Sequence, residues 1–593
     1  MHGDTAIKPA AALRKSSRNQ QRQTGIQADA RPPVLRSGYA TRTLGRLFEN
    51  TNQPSTREIG MSMETKTIDY VVIGAGPAGI QAGYRLGKLG REYLILEKDE
   101  SAGYYFKIFP RHRKLISINK VYTGYDDNEI NLRWDWNSLL ADDEDSLLFK
   151  EFSKRYFPHA DDMVKYLQAF VEKNQIRIRY GADVQSVSRS GDFEITLAGG
   201  EVVRAKTLIV ATGVSQPWLP DIEGIEHAEP YSTTSVDPDD FINRRVLILG
   251  KGNSAFETAD NLVETASMVH VCSPSPLKMA WSTHFVGHLR AVNNNFLDTY
   301  QLKSQNAMLD AKITKIEKRE NGKYVAFFTY AHAEGEVEEI MYDDVIACTG
   351  FRWDNSIFEE NCRPQLCSMG KLPVQSSSWE SKNVPDVYFA GTIMQYRDYK
   401  KYMSGFVHGF RYNVRTLIDL LNEKYEGVAY PHVEVESKLE VMVGRMLDRI
   451  NGTSSLWQQP GFLCDLYTFS ESGDAVELRY DLPVDYVHET AGKTGEKYIL
   501  VTLEFGMSKF DNPFNVSRIA RDNTDRSNKS NFLHPVVRVC RSGKCIFEHH
   551  VIEDLAAEWK EPEHIGPLVD FIRDAVFFSQ KHDFQRPSAM LTG

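Results

Sequence analysis

The chain has 593 residues, of which 41% are hydrophobic, 25% charged and 11% aromatic, so it is long enough for three or four ordinary folded domains. It has no window of roughly 18 consecutive apolar residues to cross a membrane, and its seven cysteines form neither a C-x-x-C pair nor a Cys/His cluster at zinc spacing, so no transmembrane segment, disulfide scaffold or metal site is expected. The net charge of −10 is uneven: residues 1–66 hold eleven Lys and Arg against five Asp and Glu, leaving an acidic body that lacks the basic face nucleic-acid binding requires.

In chain order, residues 1–66 read as a disordered basic arm, since Ala11–Thr24 is largely polar, Pro32 and Pro33 interrupt the stretch after it, and no apolar periodicity is sustained. No apolar run of signal-peptide type comes after the basic residues, which leads us to expect a cytoplasmic protein. The Arg- and Ser-containing opening keeps mitochondrial targeting as the lesser alternative. From Thr67 the texture changes. Tyr70–Ile73 predicts a buried strand, Gln81–Leu89 an amphipathic helix and Arg91–Leu96 a second strand, a β-α-β unit. Another spans Arg245–Cys272, with a helix-rich connection predicted after it. Short strands are predicted at Lys206–Ala211, Val345–Thr349 and Val387–Ala390. This order predicts an α/β fold with two Rossmann-like dinucleotide-binding domains. The FAD-binding domain comprises 67–230 and 343–430, an NAD(P)-binding domain is inserted at 231–342, and a C-terminal α+β region covers 431–593.

The first turn is Gly74-Ala75-Gly76-Pro77-Ala78-Gly79. Gly74 permits the tight turn, Gly76 lets a pyrophosphate approach backbone N–H groups, and Gly79 lets helix and strand pack closely. The helix N-terminus favours the diphosphate charge, and Glu97, about 20 residues on, is placed to accept hydrogen bonds from a ribose. The second turn is Gly250-Lys251-Gly252-Asn253-Ser254-Ala255, with Ala255 in the place of the third glycine. Its following strand ends in Cys272 and Ser273 without an acid. That tilts the reading toward NADPH, with Lys278 the candidate 2′-phosphate partner and NADH the alternative. Two such sites suit bound FAD visited by a nicotinamide. Gly213, Gly391 and Gly409 close the strand-turn segments Thr207–Gly213, Val387–Gly391 and Ser404–Phe410, which face the flavin in this arrangement.

The order of these motifs, ending in the Cys348-Thr349-Gly350 turn, is similar to that of flavin-containing monooxygenases and their N-hydroxylating cousins. Longer blocks at Pro110–Lys120, Trp134–Leu140, Leu297–Ser304, His408–Tyr412 and Ser530–Pro535 resemble the FAD-dependent oxidoreductase domain-containing protein 2 family, which includes the endoplasmic-reticulum flavoprotein associated with degradation. The resemblance covers about residues 67–580. It implies FAD, a nicotinamide site and a two-dinucleotide-domain fold. Tyr231-Ser232 stands where the monooxygenases carry a His-Ser pair, the turn Ser273–Pro276 lacks their phosphate-binding arginine, and the secretory and retention signals of the endoplasmic-reticulum members are not found.

The resemblance implies a monooxygenase that uses O2 on a small-molecule substrate, at a nitrogen or other soft nucleophilic centre. Its reactive site must be dry and hydrogen-bonded. Asn119 and Lys120, from a segment placed beside the flavin in relatives, and His408, near a helix start, are the catalytic candidates; Asp398, Tyr399 and Lys400 are candidates for a polar pocket wall. Residues 281–304, with Trp281, His284, Arg290, Asn293, Asn294, Asp298 and Tyr300, are the candidate substrate wall. His549 and His550 read as structural. Two other classes stand beside this reading. A flavin-dependent disulfide reductase would use the C-x₄-C pairs Cys362/Cys367 or Cys540/Cys545, and a redox-sensing scaffold would bind a protein partner through 431–593.

Overall fold

The computed structural model describes residues 66–578 apart from 144, 300–304 and 507–514. The basic arm (save Lys66) and the C-terminal end lie outside the described residues.

The first sheet grows from the strand Ile68–Ile73, whose continuous apolar run is buried on both faces, as a central parallel strand must be. It pairs in parallel with Tyr93–Leu96 on one side and Val202–Val210 on the other; Ile73 is opposite both Leu96 and Val210. Ile178–Arg179 and Val387–Phe389 add parallel strands, and Asp192–Leu197 and Val184–Ser190 continue the sheet as an antiparallel meander. The helix Pro77–Lys88 starts with Pro at its first turn, where the missing N–H costs nothing, and ends with Arg85 and Lys88 near its negative pole.

The second sheet repeats the plan. Arg245–Leu249 lies between Met268–Ser273 and Asp344–Ala347, all parallel, and the helix Asn253–Leu262 comes after the Gly-rich turn. The connection after Met268–Ser273 is not helix-rich as expected. Short helices at Ala280–Thr283 and Asn295–Thr299 give way to the strand Ala307–Lys318 and an antiparallel meander through Tyr324–Tyr330 and Val337–Tyr342. The physical cause is the alternation of buried Ala311 and Ile313 with exposed Lys312, which resumes at buried Ile316 after a register shift between Ile313 and Lys315.

The third sheet is six-stranded and antiparallel. Its order is His432–Glu436, Ala475–Pro483, Leu463–Phe469, Lys497–Glu504, His534–Arg541 and Lys544–His550, and it packs with the helices Leu439–Gly452 and Pro562–Ile572. One continuous hydrophobic cluster joins Val72, Ile95 and Leu417 of the first unit to Met446, Tyr467 and Val501 of this C-terminal region. Cys540 and Cys545 form a disulfide across the last hairpin, whereas Cys362 and Cys367 stay free. No helix among the described residues is long and apolar enough to cross a membrane.

Candidate functional site

Both glycine turns open into one cavity of about 1460 Å³. That exceeds the roughly 300–1,000 Å³ usual for a single small ligand and suits two dinucleotides end to end. The turns are built alike. Gly74 N donates to Leu96 O and Gly250 N to Cys272 O, each at 2.8 Å. Both residues have positive φ, +104° and +118°. An added Cβ would stand 2.8 Å from Ala211 O in the first case and 2.3 Å from Cys348 O in the second, so only glycine fits. At Gly76 and Gly252 an added Cβ would meet nothing within 4 Å; both face the cavity, leaving the backbone open to a phosphate group. The residues present therefore fit a dinucleotide at each turn.

Of the expected residues, Gly74, Gly76, Pro77, Ala78, Glu97, Gly213, Gly250, Gly252, Asn253, Ser254, Lys278, Gly391 and His408 line the cavity. Gly79, Ala255 and Gly409 lie behind it and act through packing: a Cβ on Gly79 would be 1.9 Å from Gly74 O, and one on Gly409 2.0 Å from Met403 O. Asn119 and Lys120 do not line it. Asn119 is buried with its Nδ2 donating to Ser153 O (2.7 Å) and Arg155 O (3.4 Å), which makes it a loop brace, and Lys120 is exposed beside a separate small cleft. Ser117 and Asn137 form the wall instead, joined by a 2.5 Å hydrogen bond from Ser117 Oγ to Asn137 Oδ1.

Glu97 caps the first turn: its carboxylate accepts from Ala75 N (2.6 Å) and Asp99 N (3.0 Å). At the second turn the polarity inverts. Lys251 Nζ donates to Ser273 O (3.3 Å) and Ser275 O (3.4 Å) and pairs with the Asp310 carboxylate. Sequence reasoning missed the Lys251–Asp310 pair, because Asp310 lies on a strand paired to Met268–Ser273 only in three dimensions.

Between the turns, Glu257 faces the cavity from the helix Asn253–Leu262, one turn beyond Asn253, a spacing that marks it as sharing the turn's face. Burial pushes its carboxyl up to about 7. Tyr231 Oη donates to Glu257 and accepts from Arg111 N at 2.9 Å, linking the two nucleotide units through one hydroxyl.

The far end is aromatic. His408 stacks on Trp136 (centroids 4.4 Å, 25°) and on Phe406 (5.8 Å, 13°), and the Arg290 guanidinium lies over Trp136 at 5.0 Å. His408 is buried with no hydrogen-bond partner on either ring nitrogen among the described residues, and burial, then Arg411 and Arg290, hold its pKa well below the ordinary histidine value. The imidazole is neutral, with one N–H and one lone pair uncommitted.

Tyr399 and Lys400 line the cavity, whereas Asp398 is buried beneath them, its carboxyl pushed up to about 6 by burial. Of the described residues of the candidate substrate wall, only 285–288 reach the cavity. Asn253 anchors that stretch: its Nδ2 donates to His288 O (2.9 Å), and its Oδ1 accepts from Arg290 N (3.0 Å) and Asn293 Nδ2 (3.2 Å). Tyr300 lies outside the described residues. His549 stacks on Phe571 and His550 bonds to His534, in keeping with structural roles.

Residues 71–391 match the model of the pyridine nucleotide-disulphide oxidoreductase family. The chain is 35% identical over 565 residues to the FAD-dependent oxidoreductase domain-containing protein 2 of Mus musculus, covering 86% of this chain and 84% of that protein. It belongs to this family. A 210-residue stretch, 34% of this chain and 46% of the relative, is 29% identical to the indole-3-pyruvate monooxygenase YUCCA1 of Oryza sativa subsp. japonica. A flavin-containing monooxygenase from Stenotrophomonas maltophilia superposes with a TM-score of 0.47 at 21% identity, over 60% of this chain and 99% of that one. The family makes this chain a flavin-dependent oxidoreductase with FAD and NAD(P) sites.

Proposed function

We propose that the protein is an NADPH-dependent flavin monooxygenase that places one oxygen atom on a nitrogen or other soft nucleophilic centre of a small molecule. The observation that carries this reading is the aromatic end of the shared cavity, where Trp136, Phe406 and neutral His408 make a dry wall with an unused donor and acceptor. FAD, held at the first Gly-rich turn, would supply the hydride acceptor for NADPH and the two-electron activation of O2, one oxygen atom going to the substrate and the other to water.

The chain's own residues divide the remaining work. The two Gly-rich turns hold the phosphates, and Glu97 orients the first ribose. Lys278 supplies positive charge to the second cofactor, at a strand end without an acid, while Lys251 beside it is paired with Asp310. Glu257 holds a proton beside the meeting point of the two units, and His408 offers hydrogen bonds inside the water-excluding wall.

The cysteines support oxygenation over disulfide reduction. Cys272 and Cys348 line the cavity but are separated by the strand Arg245–Leu249, roughly 10 Å at the usual strand spacing. Burial pushes the Cys272 thiol up to about 12 and that of Cys348 higher still, so neither is a thiolate nucleophile. The Cys540–Cys545 bridge sits on an edge hairpin whose residues do not line the cavity.

The test is rapid-mixing absorbance. The FAD-loaded protein, reduced anaerobically by NADPH or NADH, is mixed with oxygenated buffer. Faster reduction by NADPH and a long-lived near-ultraviolet band, distinct from reduced and oxidised flavin, are expected. Immediate return to oxidised flavin with one peroxide per flavin would overturn the oxygenation reading.

A further inference from the structure

The aromatic end of the cavity is made of two walls that are far apart in sequence. One is the segment carrying Trp136 and Asn137, the other the loop 399–408 that ends in Phe406 and His408. Each keeps bonds within its own unit, Trp136 N to Ile118 O (3.2 Å) and Ser404 N to Asp398 Oδ2 (3.1 Å) among them. Both are anchored by adjacent residues of the C-terminal region, Gln458 and Gln459, at the end of the short helix Ser455–Gln458.

Gln459 is completely buried. Its Oε1 accepts from Met403 N (3.2 Å), and its Nε2 donates to Ser404 Oγ (3.1 Å) and to Asn413 Oδ1 (3.0 Å). Asn413 Nδ2 closes the ring by donating to the same Ser404 Oγ at 2.8 Å. The loop is pinned at its start as well: the Arg397 side chain, 3% exposed, lies over Trp379 and Phe462 and pairs with Asp485. Gly409 completes the arrangement, because any side chain there would strike Met403 O.

Gln458 reaches the opposite way. Its Nε2 donates to Arg133 O (2.6 Å) and Leu132 O (3.0 Å), just ahead of Trp136. Arg133 returns the contact, donating to Thr453 O (2.9 Å) and Asn451 O (2.8 Å) of the C-terminal region. Every amide function of the two glutamines that these bonds use is buried, where an unmade hydrogen bond is costly and a made one fixes geometry.

We propose that Gln458 and Gln459 are positioning residues through which the C-terminal region sets the spacing of the Trp136–His408–Phe406 wall. The region is then a working part of the oxidoreductase pocket and not an appended module. The common hydrophobic cluster that runs from the first sheet into the C-terminal sheet ties the two regions together at larger scale. This inference rests on the oxidoreductase reading of the cavity above.

The experiment uses the full chain with Gln459→Met, which keeps the side chain's length and removes all three hydrogen bonds. FAD binding at one per chain is expected to persist. Amide hydrogen exchange across 399–408 should accelerate about tenfold, the visible flavin bands should shift, and the limiting rate of flavin reduction by NADPH should fall about tenfold with less than about a twofold change in the half-saturating NADPH concentration. Gln458→Met should accelerate exchange across 132–137 instead. Phe547→Ser, on the exposed edge strand, should leave all three readouts unchanged.

Unchanged exchange and spectrum in Gln459→Met would overturn the inference. If that variant fails to fold, Ser404→Ala, which removes the shared hydroxyl alone, is read in the same way. A wild-type protein that neither NADPH nor NADH reduces would count against the oxidoreductase reading instead, and the exchange data would still judge the role of the two glutamines.

Discussion

The two nucleotide units share a backbone and differ in what they do with charge. Residue for residue, Gly74 corresponds to Gly250, Ala75 to Lys251, Gln81 to Glu257 and Glu97 to Ser273, at a constant offset in the sequence. In the first unit the polar groups are committed to the protein itself. Gln81 exchanges two hydrogen bonds with the backbone of Leu140, 3.1 Å as donor and 2.7 Å as acceptor, and Glu97 caps its own turn. In the second unit the same positions carry a lysine and a protonatable carboxyl at the cavity wall, each paired with another side chain, Lys251 with Asp310 and Glu257 with Tyr231. A tightly built cradle suits a cofactor that stays, and ionisable groups at a cavity wall suit a charged one that comes and goes. The lesson is that one scaffold serves both tasks, and the side chains at two or three equivalent positions divide them.

That comparison can be broken most sharply at the turns. Gly250→Ala places a methyl group 2.3 Å from Cys348 O in a backbone conformation L-residues resist. We expect it to lower the rate of flavin reduction by NADPH about a hundredfold at fixed cofactor concentration while FAD content stays at one per chain. Gly74→Ala should instead yield protein that loses its flavin on gel filtration. Equal effects of both variants on FAD content would contradict the division of labour.

Glu97→Ala leaves Ala75 N and Asp99 N without their carboxylate acceptor. It should raise the FAD dissociation constant about thirtyfold, measured by fluorescence titration, with little effect on nicotinamide affinity in the flavin-saturated protein.

Glu257 gives a pH signature that Gln81 cannot. Its carboxyl binds a proton more tightly in the folded chain than unfolded, so between the ordinary carboxylate range and about 7 the folded state holds the extra proton. Stability therefore falls as pH rises across that window, by about 2 kcal/mol between about pH 5.5 and pH 7. Thermal melts of Glu257→Gln should lose that slope; an unchanged slope would mean the carboxyl is ionised in the fold.

The smallest effect belongs to Asp310. Asp310→Asn frees Lys251 for a 2′-phosphate and should raise the preference for NADPH over NADH by about fivefold, read as the ratio of the two kcat/KM values for flavin reduction. A shift toward NADH would reverse our assignment of Lys251.

Much of this is legible in residue order. The Gly turns, the buried strands before them and the acid Glu97 at the end of the second strand follow from local rules, because a strand, a tight turn and a helix N-terminus are specified by neighbours in the chain. The meander after Met268–Ser273 reads as helical in sequence because short half-buried strands and short helices carry similar apolar counts. Asn119 reads as catalytic from a resemblance that puts its segment beside the flavin; in the fold its Nδ2 is taken by Ser153 O and Arg155 O, and Ser117, two residues earlier, lines the cavity.

The sequence by itself determined that two strand–Gly turn–helix units exist and in which order, since those features depend on backbone conformation over a few residues. Only the tertiary structure decided that Asp310 neutralises Lys251, that Tyr231 bridges Arg111 and Glu257, and that two glutamines of the C-terminal region hold the cavity's aromatic wall. Those contacts join residues separated by tens to hundreds of positions. Their energy comes from burying polar groups against partners that no local pattern specifies.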